Sequence, residues 1–176
     1  MRNLATTHVL DKVAESFGQK CYEVPVGFKH ISAKMQETDA IIGGESSGGL
    51  TVKGHIHGKD GIYAAALLGG DDSCQREEAV GDSGRYQEGI WSHPYGGAGL
   101  QVYARGKGRI HNILMEERKL PEMPFETDHV SYMDGCKVYF KNGGWVIARF
   151  SGTEPLLRIF CEMEYEPDTV RVCNLF

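Results

Sequence analysis

A chain of 176 residues, 41% hydrophobic and 24% charged, has globular proportions and room for one ordinary domain or two small ones, which excludes wholesale disorder. Its net charge of −5 speaks against a nucleic-acid binder, because non-specific binding to phosphate backbones needs a basic surface. No apolar run approaches the roughly 18 residues of a membrane-spanning helix, and the opening "MRNLATTHVL" lacks the apolar core of a signal peptide. The five cysteines (Cys21, Cys74, Cys136, Cys161, Cys173) are widely spaced with no C-x-x-C pair. That pattern predicts reduced thiols in a cytoplasmic protein, not a disulfide framework or a zinc site.

In chain order, "NLAT" reads as a short strand. Residues 8–17 then place Leu10, Val13, Ala14 and Phe17 on one helical face, closed by Gly18. "KCYEVPV" is strand-like, "FKHISAKMQET" sets Phe28, Ile31 and Met35 on one helical stripe, and "DAIIGG" has a short buried-strand pattern. Strand, helix, strand, helix, strand predicts an α/β unit of three largely parallel strands with helices. After "GGESSGG" the run "LTVKGHI" looks extended, and Asp60 is placed to cap the helix "GIYAAALL".

From about residue 130 the character changes to short β-rich runs, "CKVYF", "WVIARF" and "LLRIFCEM". The first two are joined through "KNGG", a hairpin signal, and "EPDTVRVCNLF" predicts a closing helix. A small α+β domain with an antiparallel sheet is therefore expected after the α/β unit. "LPEMPFETD", with its two prolines, is the natural boundary, giving domains 1–120 and 121–176.

Residues 69–108 fit neither domain: they show no helix or strand period and many glycines. A flexible loop is one reading, but structureless loops longer than about 15 residues are uncommon inside compact domains. The codons permitted by "GGDDSCQREEAVG", read one base later, can spell "VEMIAVSGKKLSE", which continues the preceding helix with an amphipathic pattern. The second reading is therefore a frame-shifted stretch, with the frame restored before "RIHNILMEERKLP".

Two loops carry chemistry. In "GGESSGG", Gly44 to Gly48 formally match the G-x-S-x-G nucleophile elbow of hydrolases, but that elbow needs a helix directly after its serine, and here an extended run follows. Glu45 and Ser47 instead suit paired sugar hydroxyls, since a carboxylate accepts and a hydroxyl both donates and accepts. In "RFSGTEPLLR", Arg149 and Arg158 supply charged forks, Ser151 and Thr153 supply hydroxyls, and Gly152 lets backbone N–H groups approach, the donor set a phosphate wants. Lys29 opens a predicted helix, near its positive end. His55 and His57 form an H-x-H pair without evident further ligands, so no metal site is expected in this chain.

Taken in order and spacing, "VPVGFKHI", "GGESSGG", "KDGI" and "ARFSGTEPLLRIF" resemble the α-D-phosphohexomutases, the phosphoglucomutase and phosphomannomutase family. The resemblance covers residues 2–68 and about 109–176. It implies the last part of a four-domain enzyme: most of domain 3, without its opening strand, and a domain 4 similar to TATA-box-binding-protein folds. It implies that Glu45 and Ser47 hold sugar hydroxyls, that Arg149, Ser151, Gly152 and Thr153 bind the non-transferring phosphate, and that Lys29 faces the phosphosugar. Family members carry a phosphoserine in a "TASHNP"-type loop and magnesium on "DGDGDR"-type aspartates. Neither motif occurs here, so Mg2+ and the sugar bisphosphate are expected of the whole enzyme, along with N-terminal domains as partners. The ligand expected of the two loops is a hexose phosphate or a sugar bisphosphate, and the isolated chain is expected to show no mutase turnover. Gly49 stands where several relatives have histidine, which favours a branch resembling bacterial phosphoglucomutases. A non-catalytic phosphosugar-binding module, or an inert truncated product, is the competing reading.

Sequencing the gene across codons 69–108 is expected to show a one-base gain near codon 69 with a compensating shift before codon 109. A reading frame incompatible with the rereading above removes the idea.

Overall fold

Residues 1–75, 95–101 and 104–176 are described by a computed structural model. The contacts of the chain divide it into two units, Met1–Ser92 and His93–Phe176. This division lies ahead of the expected boundary at 120/121, because a strand at Tyr95–Gln101 already belongs to the second sheet.

In the first unit, β1 (Arg2–Asn3), β2 (Glu23–Val24), β3 (Ile42–Gly44) and β4 (Leu50–Val52) form a sheet of order β2-β1-β3-β4. β1 pairs in parallel with β2 and β3, as expected. β4 adds a fourth, antiparallel strand, because the short loop after β3 can only return the chain beside it. The helices are α1 (Val9–Ser16), α2 (Phe28–Thr38) and α3 (Gly61–Gln75). The expected stripe of α2 buries Ile31 and Met35 in a cluster with Met1 and Val24. Asp60 caps α3, its Oδ1 accepting from the N–H of Tyr63 at 2.9 Å.

Arg2 fastens this small sheet. Its buried guanidinium spans Asp11 on α1 (Nη2–Oδ2 2.6 Å) and Glu23 on β2 (Nη1–Oε2 2.5 Å). Burial alone opposes its charge, but the two carboxylates more than offset that, and they keep it cationic. The apolar face of α1 is not buried as a core stripe would be. Leu10, Val13, Ala14 and Phe17 line an open groove of about 600 Å³ with Ile41 and Ile42.

In the second unit, β5 (Tyr95–Gln101), β6 (Thr127–Ser131), β7 (Cys136–Phe140), β8 (Trp145–Phe150) and β9 (Leu156–Glu162) form an antiparallel sheet of order β5-β9-β8-β7-β6. Helix α4 (Ala104–His111) runs into a π-helical turn at Asn112–Glu116, and α5 (Glu166–Cys173) closes the unit. Alternate residues of three strands (Val138, Phe140, Val146, Ala148, Leu157, Ile159) meet Leu114 and Val172 in one core. The expected hairpin between β7 and β8 closes with Phe140 N–H on Gly144 O at 2.8 Å.

Two expectations are corrected. Residues 69–75 extend α3, 95–101 form β5 and 104–108 begin α4, so the middle stretch is not without regular structure; 76–94 and 102–103 lie outside the described residues. Cys161 and Cys173 form a disulfide instead of remaining reduced. Helix α5 folds back along β9 and brings them to a Cα separation of 6.2 Å, a tertiary approach that cysteine spacing alone did not reveal. Cys21 and Cys136 are free, and burial pushes the Cys21 thiol up to about 11. Among the described residues no helix is long and apolar enough to cross a membrane.

Gly43 sits where α2 presses on β3: a Cβ there would lie 2.5 Å from Ile31 Cγ2 and 2.7 Å from Met35 Sδ. Gly43→Ala is expected to destabilise the first unit by about 1–3 kcal/mol through overpacking, read by urea or thermal unfolding. An unchanged midpoint would show that α2 does not seat on β3 in this way.

Candidate functional site

The "GGESSGG" loop joins β3 to β4, two antiparallel neighbours. The turn is tight: Gly48 N–H donates to Glu45 O at 3.0 Å and Glu45 N–H to Gly49 O at 2.9 Å. Gly48 has φ +83°, a conformation side chains resist, so glycine is required there. Ser46 is tied to the segment between β1 and α1 by its N–H on Thr6 Oγ1 at 3.1 Å. Ser46, Ser47 and Gly48 are exposed at the tip.

Glu45 points the other way. Its side chain is only 6% exposed. Oε1 accepts from Asn3 Nδ2 at 3.0 Å and from the N–H of Gly27 at 3.2 Å, and Oε2 meets Lys59 Nζ at 2.7 Å. Burial by itself pushes this carboxyl up. The hydrogen bond from Lys59, then that from Asn3, the Lys59 charge and the Gly27 N–H outweigh it, holding the group below the usual carboxylate range. Glu45 therefore gathers β1, the start of α2 and the approach to α3 around one ionised group. Lys29, the second residue of α2, is exposed.

Lys59 and Asn3 were not singled out in the sequence, although Lys59 opens the quoted "KDGI". The missed signal was Gly49. A Cβ there would lie 2.7 Å from Lys59 Cδ and 2.8 Å from Cε, so the lysine stem crosses the space that a side chain at 49 would fill. His55, one half of the H-x-H pair, meets Asp60 at 3.0 Å and stacks on Tyr63 with ring centroids 3.9 Å apart. Among the described residues no group of three or more His, Cys, Asp or Glu side chains is placed to hold a metal ion.

In the second unit the "RFSGTEP" loop links β8 to β9. Ser151 N–H donates to Leu156 O at 2.8 Å, and Leu156 N–H to Glu154 O at 2.8 Å. The buried Ser151 Oγ accepts the N–H groups of Thr153 (3.4 Å) and Glu154 (3.3 Å), and lies 3.5 Å from Thr153 Oγ1. Gly152 and Thr153 are exposed. The loop therefore places the expected hydroxyls and backbone donors around one turn.

Arg149 and Arg158 are register partners across β8 and β9, so their side chains leave the same face of the sheet. Arg149, 15% exposed, meets Asp134 at 3.3 Å through Nη2. Its buried Nε has no hydrogen-bond partner among the described residues. Gly135, at φ +93°, presses on Arg149: a Cβ there would lie 2.6 Å from Arg149 Cβ and 2.7 Å from Ala148 O. Asp134 and Gly135 thus fix Arg149 and, like Lys59, were visible only once the strands were paired.

Comparison with known proteins agrees with this architecture. Residues 1–69 match the model of the phosphoglucomutase/phosphomannomutase α/β/α domain III, and residues 112–173 match that of the C-terminal domain. A phosphoglucomutase/phosphomannomutase of Thermococcus kodakarensis is 30% identical over 93% of this chain and 33% of its own length. A phosphoglucomutase of Rhizobium radiobacter is 29% identical over 97% of the chain and 35% of its own. The fold matches that of a phosphoglucomutase/phosphomannomutase family protein from Burkholderia thailandensis (TM-score 0.73, 23% identity, 99% of this chain and 35% of that one). It also matches the Paramecium phosphoglucomutase parafusin (TM-score 0.70, 22% identity, 98% and 35%). The two units are thus a domain III and a C-terminal domain of one enzyme class. The chain belongs to the α-D-phosphohexomutase family and spans about a third of the length of the curated relatives it matches.

The ionised state of Glu45 contributes stability that is present above the ordinary carboxylate value of 4.5 and is lost as pH falls through the lower folded value. Lys59→Met is expected to cost about 1–2 kcal/mol at pH 7, a charge-assisted hydrogen bond discounted because the lysine is half exposed. It is also expected to flatten the loss of stability on acidification, since Glu45 then titrates higher. Unfolding curves at pH 7 and pH 4 check both, and an unaltered acid dependence contradicts the assignment.

Proposed function

We propose that this chain is the substrate-gripping portion of a phosphohexomutase, an enzyme that transfers phosphate between the 1- and 6-positions of a hexose phosphate. The observation that carries this reading is the second-unit loop: a buried Arg149 Nε without a hydrogen-bond partner among the described residues, a second arginine beside it in register, and Ser151, Gly152 and Thr153 at the same turn. Two cations paired across strands on one sheet face repel, and an anion held by both would remove that cost. Phosphate, with charge and several acceptor oxygens, fits this set.

In the first unit, Glu45 and Ser47 would meet sugar hydroxyls. A carboxylate has about four acceptor directions, and Asn3, Gly27 and Lys59 take three of those of Glu45, which leaves one for a ligand hydroxyl. Lys29, exposed at the start of α2, would face the phosphosugar. Such groups contribute by orientation and by neutralising phosphate charge. The nucleophilic phosphoserine and Mg2+ would be supplied by the whole enzyme, which the family's domain order places upstream. A cytoplasmic setting belongs to the same reading. The span left unmatched between the two family models, residues 70–111, overlaps most of the stretch 69–108 read as frame-shifted and supports that proposal.

Calorimetry with glucose-1,6-bisphosphate tests this. Weak binding is expected, abolished by Arg149→Ala, with no conversion of glucose-1-phosphate to glucose-6-phosphate by the 176-residue protein alone. Binding that survives Arg149→Ala refutes the site. No binding at all favours the competing reading, an inert fragment.

A further inference from the structure

The two arginines of the loop are not equivalent. Arg149 is 15% exposed, with its stem pressed by Gly135 and one nitrogen on Asp134. It is fixed before any ligand arrives. Arg158 is 40% exposed and is held through Nη2 by Oε2 of Glu154, itself 50% exposed. Glu154 belongs to the loop that would receive the anion. Its N–H is on Ser151 Oγ at 3.3 Å and its carbonyl accepts from Leu156 at 2.8 Å, so its backbone is anchored while its carboxylate reaches outward.

Charge explains why a carboxylate stands there. Cross-strand like charges destabilise a sheet, and Arg149 and Arg158 are direct partners. Asp134 offsets one and Glu154 the other. The two counter-ions differ in how firmly they are held. Asp134 is 26% exposed and sits in the turn packed against Arg149. The Glu154 pair is solvated, and such pairs contribute little and part easily.

From this asymmetry we infer that Glu154 is an internal competitor for the anion site: it occupies Arg158 as a stand-in carboxylate and must yield that guanidinium when a phosphate binds. Arg149 is the permanent anchor, and Arg158 is the group that changes partner. The inference rests on the loop being a phosphate site. It adds a residue whose role has the opposite sign, since removing its charge strengthens binding. A built-in competitor lowers affinity without altering the donors, which favours release of a ligand that must leave between steps.

The test is a 31P NMR or calorimetric titration of the full chain with glucose-6-phosphate and with inorganic phosphate. Glu154→Gln is expected to tighten both by about 2- to 5-fold, the effect of freeing Arg158 from a half-exposed ion pair that the ligand would otherwise have to displace. The gain shrinks in high salt, where such interactions are screened. In an Arg158→Gln background the same substitution should have no effect, because there is no guanidinium left to compete for. Melting temperatures of the variants identify any that do not fold, and Glu154→Ala, which also removes the charge, replaces a misfolded Glu154→Gln with the same gain expected. Equal or weaker binding by Glu154→Gln, or the same gain without Arg158, overturns the inference while leaving the phosphate site intact. Failure of wild type and Glu154→Gln alike to bind either probe overturns the phosphate-site reading, and the inference with it.

Discussion

A carboxylate that is almost wholly buried must be met by donors, and in the first unit that requirement fixes the site. Glu45 is reached by Asn3 from β1, by the N–H of Gly27 at the start of α2 and by Lys59 ahead of α3. Each comes from a different segment, so the carboxylate cannot be satisfied unless all three segments are in place. The outcome is a loop whose base is rigid and whose tip, Ser46 to Gly48, is free to face a ligand. Arg2 does the reciprocal work deeper in the sheet, a buried cation closed by Asp11 and Glu23. With strands of two or three residues, a few charge-assisted contacts of this kind carry a large share of the order that longer strands obtain from ladders.

The second unit solves a different problem. Its sheet is longer and its core is apolar, so the fold does not depend on the site. It therefore tolerates an unfavourable arrangement at one end: two arginines opposite each other, one with a buried donor that has no partner among the described residues. Such local costs persist only on a scaffold that determines them, and they are concentrated where ligands bind. Asp134 and Glu154 show how the cost is contained, one by a packed turn and one by a solvated ion pair.

Much of this was readable in the chain itself. The α2 stripe of Ile31 and Met35, the Asp60 cap, the β7–β8 hairpin and the closing helix follow from period and turn chemistry, which are local properties. The two loops announced themselves by residue type. What local reasoning missed has a common cause. The disulfide of Cys161 and Cys173 depends on α5 folding along β9. The exposed stripe of α1 depends on what the sheet offers it. The regular structure at 95–101 arises from pairing with β9, since "YGGAGLQ" has little strand pattern of its own.

The sequence by itself determined the order of elements, the two loops proposed to bind anions and hydroxyls and the family they resemble, because periodicity, caps and short motifs are written in neighbouring residues. Tertiary structure alone decided the partners: that Lys59 lies across Gly49 to reach Glu45, that Gly135 and Asp134 fix Arg149, and that Arg149 stands beside Arg158. These contacts join positions separated by about ten or more residues, and only strand register and packing bring such positions within a few ångströms of one another.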